Sequence, residues 1–217
     1  MSTLKAVLWD FGGVILSSPF DAFTDYEQQN GLPAHFIRTV NTHNPHKNAW
    51  ARLERSELDH GAFDRAFASE SKELGHEVPG ADILALLAGS VRPEMEHALD
   101  AVIAAGYKTA CLTNNVLSRR DDAQSADERP EVAHIMAKFD VVVESSKVGF
   151  RKPEPKFYSE ACRLLGVQPT DCVFLDDLGI NLKPAKEMGM QTIKVADPAD
   201  AIAQLSGILG LDLTAGY

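Results

Sequence analysis

Five short apolar runs predict strands: Lys5–Trp9, Tyr107–Leu112, Phe139–Val143, Cys172–Leu175 and Gln191–Val195. They are rich in β-branched or aromatic residues and bounded by glycine, proline or polar residues, as strands are. Between the later runs the apolar positions change to a helical period. Pro93 opens one helix, with Met95, Ala98, Leu99, Val102 and Ile103 on one face and Gly106 at its close. Pro153 opens a second, with Phe157, Ala161, Leu164 and Leu165 on one face and Gly166 at its close. A third is predicted from about Asn181 to Met188. Pro184 is placed in its first turn, where N–H groups have no helical partner. A tail helix covers about Ala199–Leu205. Strands alternating with helices predict an α/β fold, a doubly wound, Rossmann-like parallel sheet.

The first alternation is delayed. About 95 residues separate the first strand from the second, far more than one crossover needs. From Ser17 to Ala88 the pattern is helical, with Phe63, Ala66, Phe67 and Leu74 recurring on one face. Seven of the sixteen aromatic residues fall in this stretch, enough apolar area for a small core of its own. The predicted organisation is a core of residues 1–16 and 89–217 with a helical cap, residues 17–88, inserted after the first strand. Trp50 and the cap phenylalanines are assigned to the cap's core. Ser118–Pro130, with seven charges in thirteen residues, is predicted to be a solvated loop.

Composition narrows the function classes. The 217 residues carry a formal charge of −10, which disfavours nucleic acid and anionic membranes as partners. No apolar stretch reaches the ~18 residues of a membrane span, and Asp10 breaks the apolar start that a signal peptide needs. Three cysteines without paired spacing exclude a disulfide framework or a zinc cluster. Cys111 and Cys172 lie in strand-like runs and are predicted to be buried thiols, which suits a reducing, cytoplasmic setting.

The chemistry collects at strand ends. Asp10 ends the first strand, Thr113-Asn114-Asn115 the second and Asp176-Asp177 the fourth. Parallel sheets of this kind bind ligands at the carboxyl ends of their strands. A mere turn cap is the lesser reading of any one aspartate, and weaker still for all three. Three together, if the first and fourth strands are neighbours, form an all-oxygen site suited to Mg²⁺. Lys147, Arg151 and Lys152 fall in one loop after the third strand, and Lys152 stands just ahead of the helix predicted to open at Pro153. An ammonium beside a helix N-terminus is an anion site, with a solvated surface loop as the lesser reading. Gly12 and Gly13 allow the backbone after Asp10 to turn tightly against a ligand.

Asp10-Phe11-Gly12-Gly13-Val14, Thr113-Asn114, Lys152-Pro153-Glu154-Pro155 and Asp176-Asp177 with Asn181 resemble, in order and spacing, the four motifs of the haloacid dehalogenase superfamily of hydrolases. The helical insert resembles the first class of cap in that superfamily. Residues 148–155 and 173–190 are similar to the N-terminal phosphatase domain of soluble epoxide hydrolase and to small bacterial sugar-phosphate phosphatases. The resemblance implies a phosphatase in which Asp10 attacks phosphorus and water then hydrolyses the aspartyl phosphate. It implies Mg²⁺ held by Asp10, the Gly12 carbonyl and Asp177, with Asp176 direct or through water. It implies that Lys152 neutralises the transferring oxygens, that Phe11, Gly12, Thr113 and the Asn114 amide hold the phosphoryl group, and that Asn181 supports the acidic pair. The implied partner is a small phosphorylated substrate, with a sugar phosphate as one class.

One position departs from the pattern. Phosphatases of this superfamily usually carry a second aspartate two residues after the nucleophile, as general acid and base; here it is Gly12. General acid help is worth about 10²–10⁴-fold. Its loss keeps two other readings open, a haloacid dehalogenase, which needs no metal, and a non-catalytic phospho-ligand or protein-binding domain. His43 or His46, in the cap's Thr42–Lys47 stretch, is a candidate replacement; an interhelical solvated loop is the plainer reading of that stretch.

Overall fold

The computed structural model describes residues 4–87, 89–114 and 129–214. Five strands, β1 (Ala6–Trp9), β2 (Lys108–Thr113), β3 (Val141–Glu144), β4 (Cys172–Asp176) and β5 (Gln191–Lys194), form one sheet in the order β3-β2-β1-β4-β5. Every pairing is parallel. β1 sits in the middle with β2 on one side and β4 on the other, so the chain reverses its direction of travel across the sheet at β1. That is the topological switch point, where a crevice opens at the strands' carboxyl ends.

Both faces of the sheet are covered, which is why its strands read as continuous apolar runs. On one face Val7, Trp9, Cys111, Val173 and Leu175 meet α6 (Pro93–Ala104), α7 (Pro130–Met136) and α11 (Pro198–Leu209). On the other, Ala6, Leu8, Ala110, Leu112 and Phe174 meet α9 (Pro155–Leu165) and α10 (Gly179–Glu187). The short α8 (Ser145–Val148) follows β3 directly. All three cysteines are buried and free.

The stretch after β1 forms α1 (Phe20–Gln29), α2 (Phe36–Thr42), α3 (Ala49–Glu54), α4 (His60–Glu73) and α5 (Gly80–Ala85). These helices share a separate apolar cluster built on Phe23, Phe36, Ile37, Leu53, Phe63, Phe67 and Ile83. The Phe63 ring stands 5.4 Å from Phe67 and 5.8 Å from Trp50. α3 and α4 each begin under a side-chain cap, Asn48 to the Ala51 N–H and Asp59 to the Ala62 N–H. Among the described residues no helix is long and apolar enough to cross a membrane.

Several boundaries differ from those the sequence predicts. β3 starts at Val141 rather than Phe139, because Asp140 Oδ2 accepts the Thr109 N–H at 2.8 Å and Phe139 turns into the core. β2 runs one residue further, to Thr113, whose register partner is Glu144. α9 opens at Pro155 rather than Pro153, since Glu154 is its N-cap and a turn spans Arg151–Glu154. α10 opens at Gly179, so Pro184 lies inside the helix and not in its first turn. The residue four back is Ile180, whose carbonyl therefore has no amide to accept from at position 184. α7, opening at Pro130, and α8 were not predicted at all. The rest of the predicted Ser118–Pro130 loop up to Glu128, and Asn115, lie outside the described residues.

Candidate active site

The strand ends bring the predicted residues to one place. Asp10 follows β1 directly, and its backbone N–H still bonds Leu175 O of β4 at 2.8 Å. Asp176 ends β4 and Asp177 follows it. Ligand atoms of Asp10, Asp176 and Asp177 all lie within 4.8 Å of one another. Lys152 reaches in from the loop before α9, with Nζ 2.7 Å from Asp10 Oδ1 and 2.9 Å from Asp176 Oδ2. The ammonium is 1% exposed, so its partners supply the stabilisation that water would otherwise give.

Each member is held. Asp10 Oδ1 also accepts the Phe11 N–H at 2.6 Å. Asp176 is wholly buried; Oδ1 accepts the Leu178 N–H at 2.8 Å, and both oxygens lie 3.0 Å from Asn181 Nδ2. Tyr158 in turn donates to Asn181 O at 2.7 Å. Asn114 clamps the Lys152 backbone from both sides: its Oδ1 accepts the Lys152 N–H at 2.9 Å, and its Nδ2 donates to Lys152 O at 3.0 Å. Gly13, at φ +79°, leaves room for Asp177; a Cβ there would stand 2.4 Å from Asp177 Oδ2. Gly12 differs: its φ is not left-handed and a Cβ would meet nothing within 4 Å. The tight turn therefore depends on Gly13 and not on Gly12.

The electrostatics follow from this crowding. Burial pushes the Asp10 carboxyl well above its ordinary value, and the charges of Asp176 and Asp177 push the same way against Lys152. Asp177 is pushed up to about 6, by burial first and Asp176 second. Lys152 is raised: burial opposes its charge, but the two carboxylates beside it outweigh that. Three carboxylates with one ammonium leave excess negative charge, which a hard divalent cation suits.

The basic loop does not act as a unit. Lys147 pairs with Glu144 and is 66% exposed. Arg151 pairs instead with Glu54 of α3, and donates to Pro45 O at 3.2 Å. Only Lys152 joins the acidic cluster. Nor does it stand at a helix N-terminus, because α9 begins three residues later.

The cluster forms the floor of a cavity of about 770 Å³. Phe11, Gly12, Thr113 and Asn114 line it beside Asp10, Lys152 and Asp177. Its wall comes mainly from the helices after β1, with Val132 and Met136 of α7 and Ile180 of α10. Phe20, Phe23 and Trp50 line it rather than serving the cap's core alone, which corrects that assignment; Phe36, Phe63 and Phe67 are core. His46 lines the cavity and His43 does not. Arg38, which lies over the Phe20 ring at 5.4 Å, His60 and Glu54 also line it. None of these three was singled out from the sequence. Glu54 is 4% exposed, is pushed up to about 7 by burial against Arg151, and accepts the Trp50 indole N–H at 3.0 Å. Its one signal in the sequence is Trp50 at i−4, on the same helix face.

Residues 4–189 match the haloacid dehalogenase-like hydrolase family. The chain is 34% identical to acyl-CoA dehydrogenase family member 10 of Mus musculus, over 98% of this chain and 20% of that protein. It is 32% identical to bifunctional epoxide hydrolase 2 of Mus musculus, over 95% of this chain and 39% of that protein. The chain thus spans only a minor part of those two relatives. Against phosphatase MT3486 of Mycobacterium tuberculosis it is 32% identical over 89% of this chain and 88% of that one. An enzyme of the same family from Bacteroides thetaiotaomicron, solved with magnesium and inorganic phosphate, superposes with a TM-score of 0.55 at 20% identity, covering 88% of this chain and 93% of that one. The L-2-haloacid dehalogenase of Xanthobacter autotrophicus, with chloropropionic acid covalently bound, does so at 0.60 and 20%, covering 97% and 85%. At these identities the structures speak for the fold; with a family match over most of its length, the chain belongs to the haloacid dehalogenase-like hydrolases.

Proposed function

We propose that the protein is a Mg²⁺-dependent phosphomonoesterase working through an aspartyl phosphate on Asp10. The observation that carries this reading is the set of three carboxylates at adjoining strand ends around one buried ammonium. Asp10, the Gly12 carbonyl and Asp177 would hold Mg²⁺. Both oxygens of Asp176 already accept hydrogen bonds, which suits it to fixing Lys152 more than to binding metal directly. Mg²⁺ would neutralise phosphoryl oxygens and keep Asp10 ionised.

Asp10 attacks phosphorus through the oxygen not held by Lys152. The P–O bond to the leaving group breaks as the bond to Asp10 forms. Lys152 offsets charge on the transferring oxygens from one side, and the Thr113 hydroxyl and loop amides hold them from another. Water then attacks the same phosphorus, and Asp10 leaves as a carboxylate. The helices over residues 17–88 act as the cap: their side chains close the cavity over the reacting atoms and select the substrate's body. Phe20, Phe23 and Trp50 favour a phosphate ester carrying an apolar or aromatic group.

A dehalogenase reading shares the fold and the nucleophile. It has no use for Asp177 beside Asp10, where a second anion costs the nucleophile its charge. The test is Asp10→Asn. Turnover of phosphate esters should fall to background, and acid-quenched wild-type protein should carry a phosphoryl group on Asp10. An Asn variant that keeps a substantial share of turnover overturns the covalent mechanism.

A further inference from the structure

We propose that Glu54 is the proton donor and acceptor of this reaction, doing from the cap what no side chain at position 12 can do. The inference rests on the phosphatase reading above. Among the described residues lining the cavity, three carry carboxyl groups: Asp10, Asp177 and Glu54. In the proposed function Asp10 is the nucleophile and Asp177 would hold Mg²⁺, which leaves Glu54. It ends α3 and lines the same cavity as Asp10 and Lys152, near enough to Lys152 to feel that ammonium's charge. His46 and His60 share the wall. His46 is solvent-exposed on a loop, whereas the Glu54 carboxylate is buried and fixed by the Trp50 indole N–H and Arg151.

The surroundings suit a group that both gives and takes a proton. Burial pushes Glu54 up to about 7, against the pull of Arg151, Trp50, Lys152 and Arg55. A phosphate dianion entering beside Lys152 adds negative charge and favours the protonated form further. In the first step Asp10 bonds to phosphorus, the bond to the leaving oxygen breaks, and the Glu54 proton passes to that oxygen. In the second, the Glu54 carboxylate takes a proton from water as the water oxygen bonds to phosphorus. The bond to Asp10 breaks, inorganic phosphate forms, and Glu54 is again an acid.

The test is a kcat series from nitrophenyl phosphate to primary alkyl phosphates, in wild type and Glu54→Gln with Mg²⁺. A donor matters most for poor leaving groups. Glu54→Gln should lose about 10²–10⁴-fold on alkyl phosphates and far less on the nitrophenyl ester. Gly12→Asp, for which there is open space, should restore alkyl turnover when added to Glu54→Gln. Trp50→Phe removes a hydrogen bond to the carboxylate and should move the alkaline limb of the alkyl-phosphate pH profile upward. Because Glu54→Gln strands the Arg151 guanidinium, Glu54→Gln with Arg151→Gln serves as the variant in which neither charge is left alone. An equal loss on every ester in both variants, or no loss in either, overturns the assignment to Glu54 and leaves the phosphatase standing. Wild-type protein that releases phosphate from no ester overturns both.

Discussion

The floor of the cavity is made by strand ends and its wall by helix faces. On the floor, Lys152 touches two carboxylates, Asn114 grips its backbone, and Asn181 with the Leu178 amide fixes Asp176. Asp10, Lys152, Asp176 and Asn181 are buried there, and Asp177 and Asn114 are partly so. On the wall, Arg38 and His46 are exposed, Phe20 and Trp50 sit half-buried, and Phe23 and Glu54 are buried, Glu54 held by the Trp50 indole N–H. The floor can therefore hold a transition state rigidly, while the wall can change its side chains without disturbing the sheet. In the function proposed above, the phosphoryl chemistry belongs to the first region, and choice of substrate, with the proton transfer at Glu54, to the second.

That division can be broken at its strongest point. Lys152→Met removes the ammonium between Asp10 and Asp176 and leaves two buried carboxylates facing each other. Stability should fall by about 3–5 kcal/mol in urea melts, and phosphatase turnover should vanish. On the wall side, Phe63→Ala empties a fully buried site in the cap cluster and should cost about 3–5 kcal/mol as well. Its effect should be on the cap: hydrogen exchange should quicken in α3 and α4 while β1 and β4 keep their protection. Equal loosening of both regions would show that floor and wall are one cooperative unit.

A subtler contrast lies within two adjacent glycines. Gly13→Ala forces a Cβ against Asp177 at a left-handed φ and should cost roughly 1–3 kcal/mol and raise the Mg²⁺ needed for turnover. Gly12→Ala meets open space and should change stability by at most about 0.5 kcal/mol. The two melts and Mg²⁺ titrations measured side by side decide it.

The smallest effect concerns pH. Glu54 has an ordinary value of 4.5 and is pushed up to about 7 in the fold. The folded state thus holds a proton that the unfolded chain has lost between these values. The stability this gives is full below pH 4.5 and is lost as pH rises through about 7. Glu54→Gln has no such proton. Wild-type stability relative to the variant should therefore decline from pH 5 to pH 8 in paired urea titrations.

The floor was legible in the sequence because alternating strands and helices imply a parallel sheet, which gathers the carboxyl ends of its strands at one edge; the pairing of β1 with β4 is what the structure adds. Once β1 lies between β2 and β4, Asp10, Thr113 and Asp176 must meet at one edge. The wall was not legible, because helix-to-helix placement in the cap depends on packing that no periodicity states. Glu54 looks like any helix-end glutamate until α3 faces Arg151 across the cavity. Lys147, Arg151 and Lys152 look alike in the chain, but Lys147 falls in α8 and pairs with Glu144, while the turn ahead of α9 sends Arg151 to Glu54 and Lys152 inward. Pro153 is the helix start the sequence predicts, and the Glu154 cap moves that start to Pro155.

Release of inorganic phosphate from nitrophenyl phosphate, measured with added Mg²⁺ and again with EDTA, tests the central claim most directly. The strand-end carboxylate cluster predicts turnover with Mg²⁺, silence under EDTA and full recovery when Mg²⁺ is returned. Hydrolysis undiminished by the chelator would contradict it, as would chloride release from a 2-haloacid under EDTA with no phosphate release under any condition.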